Sequence, residues 1–289
     1  MHTGNLVMPS VIIPAHDEEA MIERVIEAVL AEGVDDLECV VVANACSDRT
    51  ADLARRFEPD VRVLETETPG KCNALNLGEA HLTRFPRIFL DGDIVLHQGA
   101  LSALIEASGP RRPIVSPMPV FVMNGATRAI RLFFRAQRFN GYFGGEAPNG
   151  SGTFVLSEEG RSRWGAFPEI IADDGFVQGH FRPEERSVVR EAKADVAQPR
   201  TVASLLEVRA RVRRGHAELA ARHPELMRNH VARGGSMIRA LLPRPLEWPG
   251  MLVYGYVRIA ERWLSRRQLE RDAGLEWGRD ESSRSTDQP

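Results

Sequence analysis

The first hundred residues alternate between two hydrophobic periods, and that alternation constrains the fold more than any other feature. SVIIP (10–14), LECVVVA (37–43), VRVLE (61–65) and RIFLD (87–91) are short apolar runs of strand type. Between the first two, AMIERVIEAVLAEG (20–33) places Met21, Ile22, Val25, Ile26, Val29 and Leu30 on one helical face, with Gly33 placed to stop it. Ser47 can cap a helix over 48–57, Asp17 can cap the first one, and a third helix is expected over 71–82. Strands alternating with helices predict a parallel sheet covered on both faces. Ligands on such sheets bind beyond the carboxyl ends of the strands. The loops 14–19, 43–48, 66–73 and 91–94 are therefore the ones to inspect.

The remainder is less regular. PIVSPMPVFVM (113–123) and TFVLS (153–157) read as strands, TRAIRLFFRAQRF (127–139) as an amphipathic helix, and GGEAPNGSG (144–152) as a Gly-rich loop. IIADDG (170–175) is a polar bend before a helix. From Thr201 the pattern is helical, and the last dozen residues are polar and expected to be disordered.

Composition narrows the function. The formal net charge of -3 gives no case for nucleic acid. Three cysteines form neither a disulfide framework nor a paired zinc signature, which fits a reducing compartment. No apolar run reaches the roughly 18 residues of a membrane span, and the N-terminus carries no signal-peptide pattern. Charge is uneven, however. Residues 200–247 hold ten Arg and four Glu, a balance of +6, which suits an anionic partner or a solvated arginine-rich helix. Of 37 cationic residues only Lys71 and Lys193 are lysine, and Lys71 follows a Pro-Gly turn.

Several loop residues could carry chemistry. Asp91 and Asp93 end the fourth strand, and D-x-D spacing on an extended segment puts both on one side. Two close carboxylates repel unless a cation sits beside them, and oxygen ligands suit Mg²⁺ or Mn²⁺. Gly70 and Lys71 open a helix, where backbone N–H groups and an ammonium attract an anion. His16, Asp17 and Glu18 follow the first strand and could hydrogen-bond a base and a ribose. Asn44 ends the second strand, either as a ligand contact or as a buried turn amide.

The series PAHDEE, VVANACSDRTADLA, PGKCNALNLG, FLDGDIVL, GSGTFVLS, ADDGFV and LLEVRARVRRG, over residues 9–215, resembles family 2 glycosyltransferases of the GT-A fold. The resemblance implies an α/β GT-A architecture, a Rossmann-like, mostly parallel sheet flanked by helices. The catalytic domain would span 7–200, with a nucleotide-sugar half to about 110 and an acceptor half beyond it. A helical extension would follow at 201–275 and a disordered tail at 276–289. It implies that Pro14, His16 and Glu18 line the base and ribose pocket, that Lys71 and Asp91 face the nucleotide, and that Asp93, with Asp91, ligates Mn²⁺ or Mg²⁺. The Gly150–Gly152 loop would sit by the acceptor. The family usually has two aspartates where Ala43 and Asn44 stand, the second touching the base. Its acidic pair maps to Asp173 and Asp174, the second as catalytic base. Arg211 matches the arginine of a late Q-x-x-R-W-type motif, but Val208 and Val212 replace the Gln and Trp, which argues against a processive synthase. His180 and His216 are candidate third metal ligands.

The implied reaction moves one sugar from a nucleotide-diphosphate donor, UDP-linked by preference, to a hydroxyl acceptor that is a small molecule or lipid-linked, with inversion. The chemistry is consistent: an Asp beside another Asp can accept a proton, and a cation with Lys71 or Arg211 can stabilise the departing diphosphate. Rival readings are a retaining GT-A transferase, a nucleotidyltransferase, whose Gly- and Arg-rich first loop PAHDEE lacks, and a silent sugar-nucleotide binding module. Leu252, Tyr256, Ile259 and Trp263 fall at helical spacing beside arginines, a pattern for an anionic membrane surface, a homodimer interface or packing within the domain. The expected location is cytoplasmic, with the inner membrane face as a point of contact.

Overall fold

Apolar runs that are buried on both faces build the centre of the sheet. The computed structural model describes residues 8–139, 152–230 and 237–270. Strand β1 (Ser10–Ala15) is buried at every position. It pairs in parallel with β2 (Glu38–Asn44) on one side and β4 (Arg87–Leu90) on the other, and β2 pairs in parallel with β3 (Arg62–Thr66). Helices α1 (Ile22–Leu30), α2 (Thr50–Arg55) and α3 (Lys71–Glu79) make the crossovers. This half matches the alternation in the sequence.

Beyond β4 the sheet changes direction. The order is β3-β2-β1-β4-β7-β6-β8-β5, with β5 (Val95–Leu96), β6 (Ile114–Val122), β7 (Thr153–Leu156) and β8 (Arg186–Ala197). β7 runs antiparallel to both β4 and β6. β6 pairs with β7 only through Ile114 and Val115, ahead of Pro117 and Pro119, which have no N–H to donate. Two elements here escape the sequence pattern. β8 buries Val189, Ala192 and Ala194 at uneven spacing among charged side chains. Helix α4 (Ala100–Ala107) is short and begins directly after a turn.

The chain divides into two compact units. The first gathers 1–120, 150–169 and 184–196 and holds the sheet with α1 to α4 and α6 (Glu158–Arg161). Its core includes Val11, Ile13, Val25, Val41, Ile88, Leu101 and Val155. The buried Glu79 carboxylate takes Arg87 on one oxygen at 2.9 Å and Arg161 on both, at 2.6–2.7 Å, tying α3 to β4 and α6.

The second unit gathers 121–149, 170–183 and 197–289. It holds α5 (Arg128–Gln137), α7 (Asp173–Gly179), α8 (Val202–Arg222), α9 (Met237–Leu241) and α10 (Trp248–Glu270). Thr127 caps α5 by accepting the Ile130 N–H on its hydroxyl. The helical run after Thr201 is interrupted where prolines intervene, by 3₁₀ turns at Pro224–Asn229 and Pro245–Glu247. Ile130, Phe133, Phe134, Leu205 and Val257 form the core. Gly250 is required at the crossing of α10 and α5, because a Cβ there would stand 2.7 Å from the Leu132 carbonyl oxygen. The buried Glu261 of α10 meets Arg209 of α8 and Arg258 of its own helix, with Arg213 at 4.0 Å. Residues 150–151 of the glycine loop and the 276–289 tail lie outside the described residues.

Candidate active site

In the first unit, the loops after β1 and β2 are stitched into one edge by side chains bonding to backbone. His16 Nδ1 lies 2.7 Å from the Asn44 carbonyl oxygen. Asp17 adopts a left-handed φ of 49°, and its carboxylate accepts hydrogen bonds from the Ser47 N–H, the Ser47 hydroxyl and the Asp48 N–H. The Glu18 N–H donates to Thr50 Oγ1 at 2.6 Å, and the Glu19 N–H to Asp48 Oδ2 at 3.0 Å. The capping roles expected for Asp17 and Ser47 do not hold. α1 begins after Met21 with no side-chain cap, because Asp17 reaches across to the neighbouring loop. α2 begins at Thr50, whose N–H bonds to Asp48 Oδ1 at 2.9 Å. Asp17, Asp48 and Thr50 are thus loop-shaping residues. Their only trace in the sequence is a density of short polar side chains, which can hydrogen-bond nearby backbone in many ways.

The Asn44 side chain has no exposure. Its amide Nδ2 donates to the Thr68 carbonyl at 2.8 Å, and its Oδ1 accepts the Gly70 N–H at 2.9 Å. Both ends of the amide therefore hold the 68–70 turn. An aspartate could supply the acceptor but not the donor, which explains a neutral amide where the family usually carries acid. Gly70 has a φ of 130°, open to glycine, and leads directly into α3. Lys71 opens that helix and places its Nζ 2.7 Å from Asp91 Oδ1.

β4 stops at Leu90, and residues 91–94 form a turn closed by Ile94 N–H to the Asp91 carbonyl at 3.1 Å. Asp91 and Asp93 thus sit on a turn rather than on an extended segment, so strand alternation does not set their directions. Gly92 lets the turn touch the first loop: a Cβ there would lie 3.2 Å from both Ala15 Cβ and Glu18 Cγ. Gly152 closes the other side. Its carbonyl accepts the Asp91 N–H at 2.9 Å, and a Cβ on it would lie 3.1 Å from Asp91 Oδ2. Pro14, His16, Glu18, Asn44, Lys71, Asp91 and Asp93 accordingly gather at the carboxyl ends of β1, β2 and β4.

Two donor sets in this unit could hold a metal. Asp91 and Asp93 offer oxygen alone, which suits hard Mg²⁺ or Mn²⁺. His16, Asp17 and Cys46 bring a nitrogen, an oxygen and a sulfur within 4.8 Å of one another. Burial raises the Cys46 thiol above its ordinary value; the Asp17 N–H bond opposes the rise, and the Asp48 and Asp17 charges add to it. That disfavours the thiolate a metal would need. Cys39, fully buried, is pushed up to about 12.

In the second unit, Asp173 and Asp174 form the first turn of α7, Asp173 buried and Asp174 half-buried. Asp174 Oδ1 accepts the Gly175 N–H at 2.7 Å. α8 packs on this turn through Gly215, where a Cβ would stand 3.1 Å from the Ala172 nitrogen. Arg211 lies one helical turn before Gly215 on the same face of α8. His216 is near the turn too, with Cε1 3.7 Å from a Cβ built on Gly175. His180 packs edge-on against Phe176, ring centroids 4.8 Å apart.

A family model described as Glycosyl transferase family 2 matches residues 10–156, just over half the chain. The chain belongs to glycosyl transferase family 2. The matched segment runs from β1 through β7 and so contains all the loops of the first unit described above. Curated relatives include a 4,4'-diaponeurosporenoate glycosyltransferase of Staphylococcus haemolyticus, 30% identical over 122 residues, covering 39% of this chain and 32% of that protein. The probable glycosyltransferase YdaM of Bacillus subtilis is 39% identical over 80 residues, covering 25% of this chain and 19% of that protein. The chain thus spans a third or less of these relatives' length. Among solved structures, the mannosyltransferase PcManGT from Pyrobaculum calidifontis, in complex with GDP-Man and Mn²⁺, is 21% identical. It aligns over 92% of this chain and 76% of its own with a TM-score of 0.58. Glucosyl-3-phosphoglycerate synthase from Mycobacterium tuberculosis with UDP is 22% identical over 75% of this chain and 80% of its own, at a TM-score of 0.55. These likenesses establish the family 2 GT-A fold of the chain.

Proposed function

We propose that this family 2 protein transfers a single sugar from a nucleotide-diphosphate donor to a hydroxyl acceptor with inversion. One observation carries the reading: the loops after β3 and β4 meet, with Lys71 Nζ 2.7 Å from Asp91 Oδ1, beside the stitched loops after β1 and β2. Pro14, His16 and Glu18 line the base and ribose side. Asn44 acts through the turn that presents Lys71. The oxygen-only chemistry of Asp91 and Asp93 fits Mn²⁺ or Mg²⁺, with Asp93 the principal ligand; bound there, the ion supplies positive charge to the diphosphate. The mannosyltransferase neighbour named with GDP-Man and Mn²⁺ supports the choice of metal.

Asp174 takes the proton from the acceptor hydroxyl, whose oxygen then attacks the anomeric carbon as the diphosphate leaves. Asp173 holds the turn that carries Asp174, and Arg211 adds positive charge for the leaving group. UDP-sugars are the preferred donors, and the acceptor is a small molecule or a lipid-linked hydroxyl. The free cysteines support a reducing, cytoplasmic setting.

The test uses two variants of the full chain. Asp174→Asn should bind the donor as the parent does, by calorimetry, while transfer falls about 10²- to 10⁴-fold, the usual worth of a general base. Transfer that survives within a few-fold removes Asp174 from that role. Asp93→Ala should lose the part of donor binding that Mn²⁺ adds. Equal Mn²⁺ dependence in both proteins removes Asp93 from the metal.

A further inference from the structure

Helix α10 has two opposite faces, and one of them is chemically unlike an ordinary protein surface. Trp248, Leu252, Tyr256, Ile259 and Trp263 are all exposed, Leu252 at 72% and Ile259 at 71%. At 100° per residue they fall within an arc of about 80° and run for about 22 Å along the helix. Gly250, Val257, Glu261 and Ser265 take the opposite side and are buried. Leu242 and Leu246, also exposed, extend the apolar surface ahead of the helix. Seven of the nine large hydrophobic side chains exposed among the described residues lie in this one segment. Scattered exposed leucines need no explanation, but a continuous stripe does.

The charges around the stripe are sorted. Residues 237–265 contain Arg239, Arg244, Arg258 and Arg262 and only two acids, Glu247 and Glu261. Both acids are buried and paired, Glu247 with Arg135 and Glu261 with Arg209 and Arg258. The charge that this segment turns to solvent is therefore arginine, with Arg244 and Arg262 exposed. A second copy docked through the same stripe in a two-fold dimer would set these arginines against their own mates, with no exposed acid to meet them. An anionic lipid surface meets both features at once. Headgroups take the arginines, and the acyl boundary takes leucine and isoleucine. Tryptophan and tyrosine, apolar rings with a polar tip, favour the interface between the two. No helix among the described residues is long and apolar enough to cross the bilayer, so the contact lies in its plane.

We infer that α10 is a monotopic docking helix that lays the Trp248–Trp263 stripe on an anionic bilayer. This partner goes beyond the donor and acceptor chemistry above and does not depend on it.

The full chain is sedimented with vesicles of phosphatidylcholine alone and of phosphatidylcholine mixed with phosphatidylglycerol. The wild type should pellet with the mixed vesicles and bind neutral ones about tenfold more weakly or worse. Leu252→Ser with Ile259→Ser should keep the parent's circular dichroism and melting, since both sites are exposed, and lose at least about tenfold in vesicle affinity. Three results overturn the inference: no pelleting of the wild type, undiminished pelleting of the double variant, or a wild-type dimer in sedimentation velocity that the double variant turns into monomer. The last would assign the stripe to a second copy.

Discussion

Each unit is tied together by one buried glutamate that grips arginines, but the arginines of the two knots sit at different depths. Around Glu79 in the first unit, the Arg87 and Arg161 side chains keep only 7% and 14% of their exposure. Around Glu261 in the second, Arg209 and Arg213 keep 24% and 44%. Burying charge is costly, and a missing partner is punished in proportion to how little water can replace it. The difference matches what each knot supports. Glu79 anchors the helix that Lys71 opens, so its rigidity is passed to the turn ahead of Lys71. Glu261 pins a helix whose other face meets solvent.

The largest effects are expected from removing each acid in turn. Glu79→Ala should cost about 3–5 kcal/mol, because two dry guanidiniums lose their counter-charge. Glu261→Ala should cost less, about 1–3 kcal/mol, because water reaches its arginines. Urea midpoints of the two variants measure this, and equal losses would mean that depth of burial does not separate the units.

A smaller effect probes how the first unit passes rigidity to its site. Asn44→Asp keeps an acceptor for the Gly70 N–H but turns a carboxylate oxygen towards the Thr68 carbonyl. Donor affinity should fall about tenfold, or about 1.4 kcal/mol, with little change in kcat. An unchanged KM for the donor would show that the turn does not depend on the amide.

The smallest effect concerns acid stability. Burial raises the Glu38 carboxyl, but bonds from the Thr83 N–H and hydroxyl and the Arg84 N–H, with the Arg84 charge, outweigh it and hold it below its ordinary 4.5. The sign follows from linkage: a depressed carboxyl stabilises the fold above its unfolded value, and that share is lost as pH falls through the lower folded value. Glu38→Gln should therefore flatten the stability profile below about pH 4.5. A melting series across that range that leaves the acid limb as steep as the parent's would discount these bonds.

The second unit was partly legible in the sequence for a different reason from the first. The stripe Leu252, Tyr256, Ile259, Trp263 appears at helical spacing in the chain, but spacing cannot say whether an apolar face is covered. Burial decided that, by placing Val257 and Gly250 inward against α5 and leaving the stripe outside. In the same way, Asn44 reads equally as ligand contact or turn amide until its two partners are seen.

The alternation of β1 to β4 with α1 to α3, and the candidate residues at the ends of those strands, are readable along the chain. Period and apolar content are local properties, and local properties are written in the chain. Tertiary pairing set the antiparallel half of the sheet and β8, whose buried Val189, Ala192 and Ala194 keep no single period. It alone brought Lys71 to Asp91 across twenty residues, turned the Asp91–Asp93 segment, and sent Asp17 to the next loop instead of its own helix. Those outcomes rest on which backbone groups happen to face which short polar side chains after the strands have paired, and no spacing along one chain encodes that.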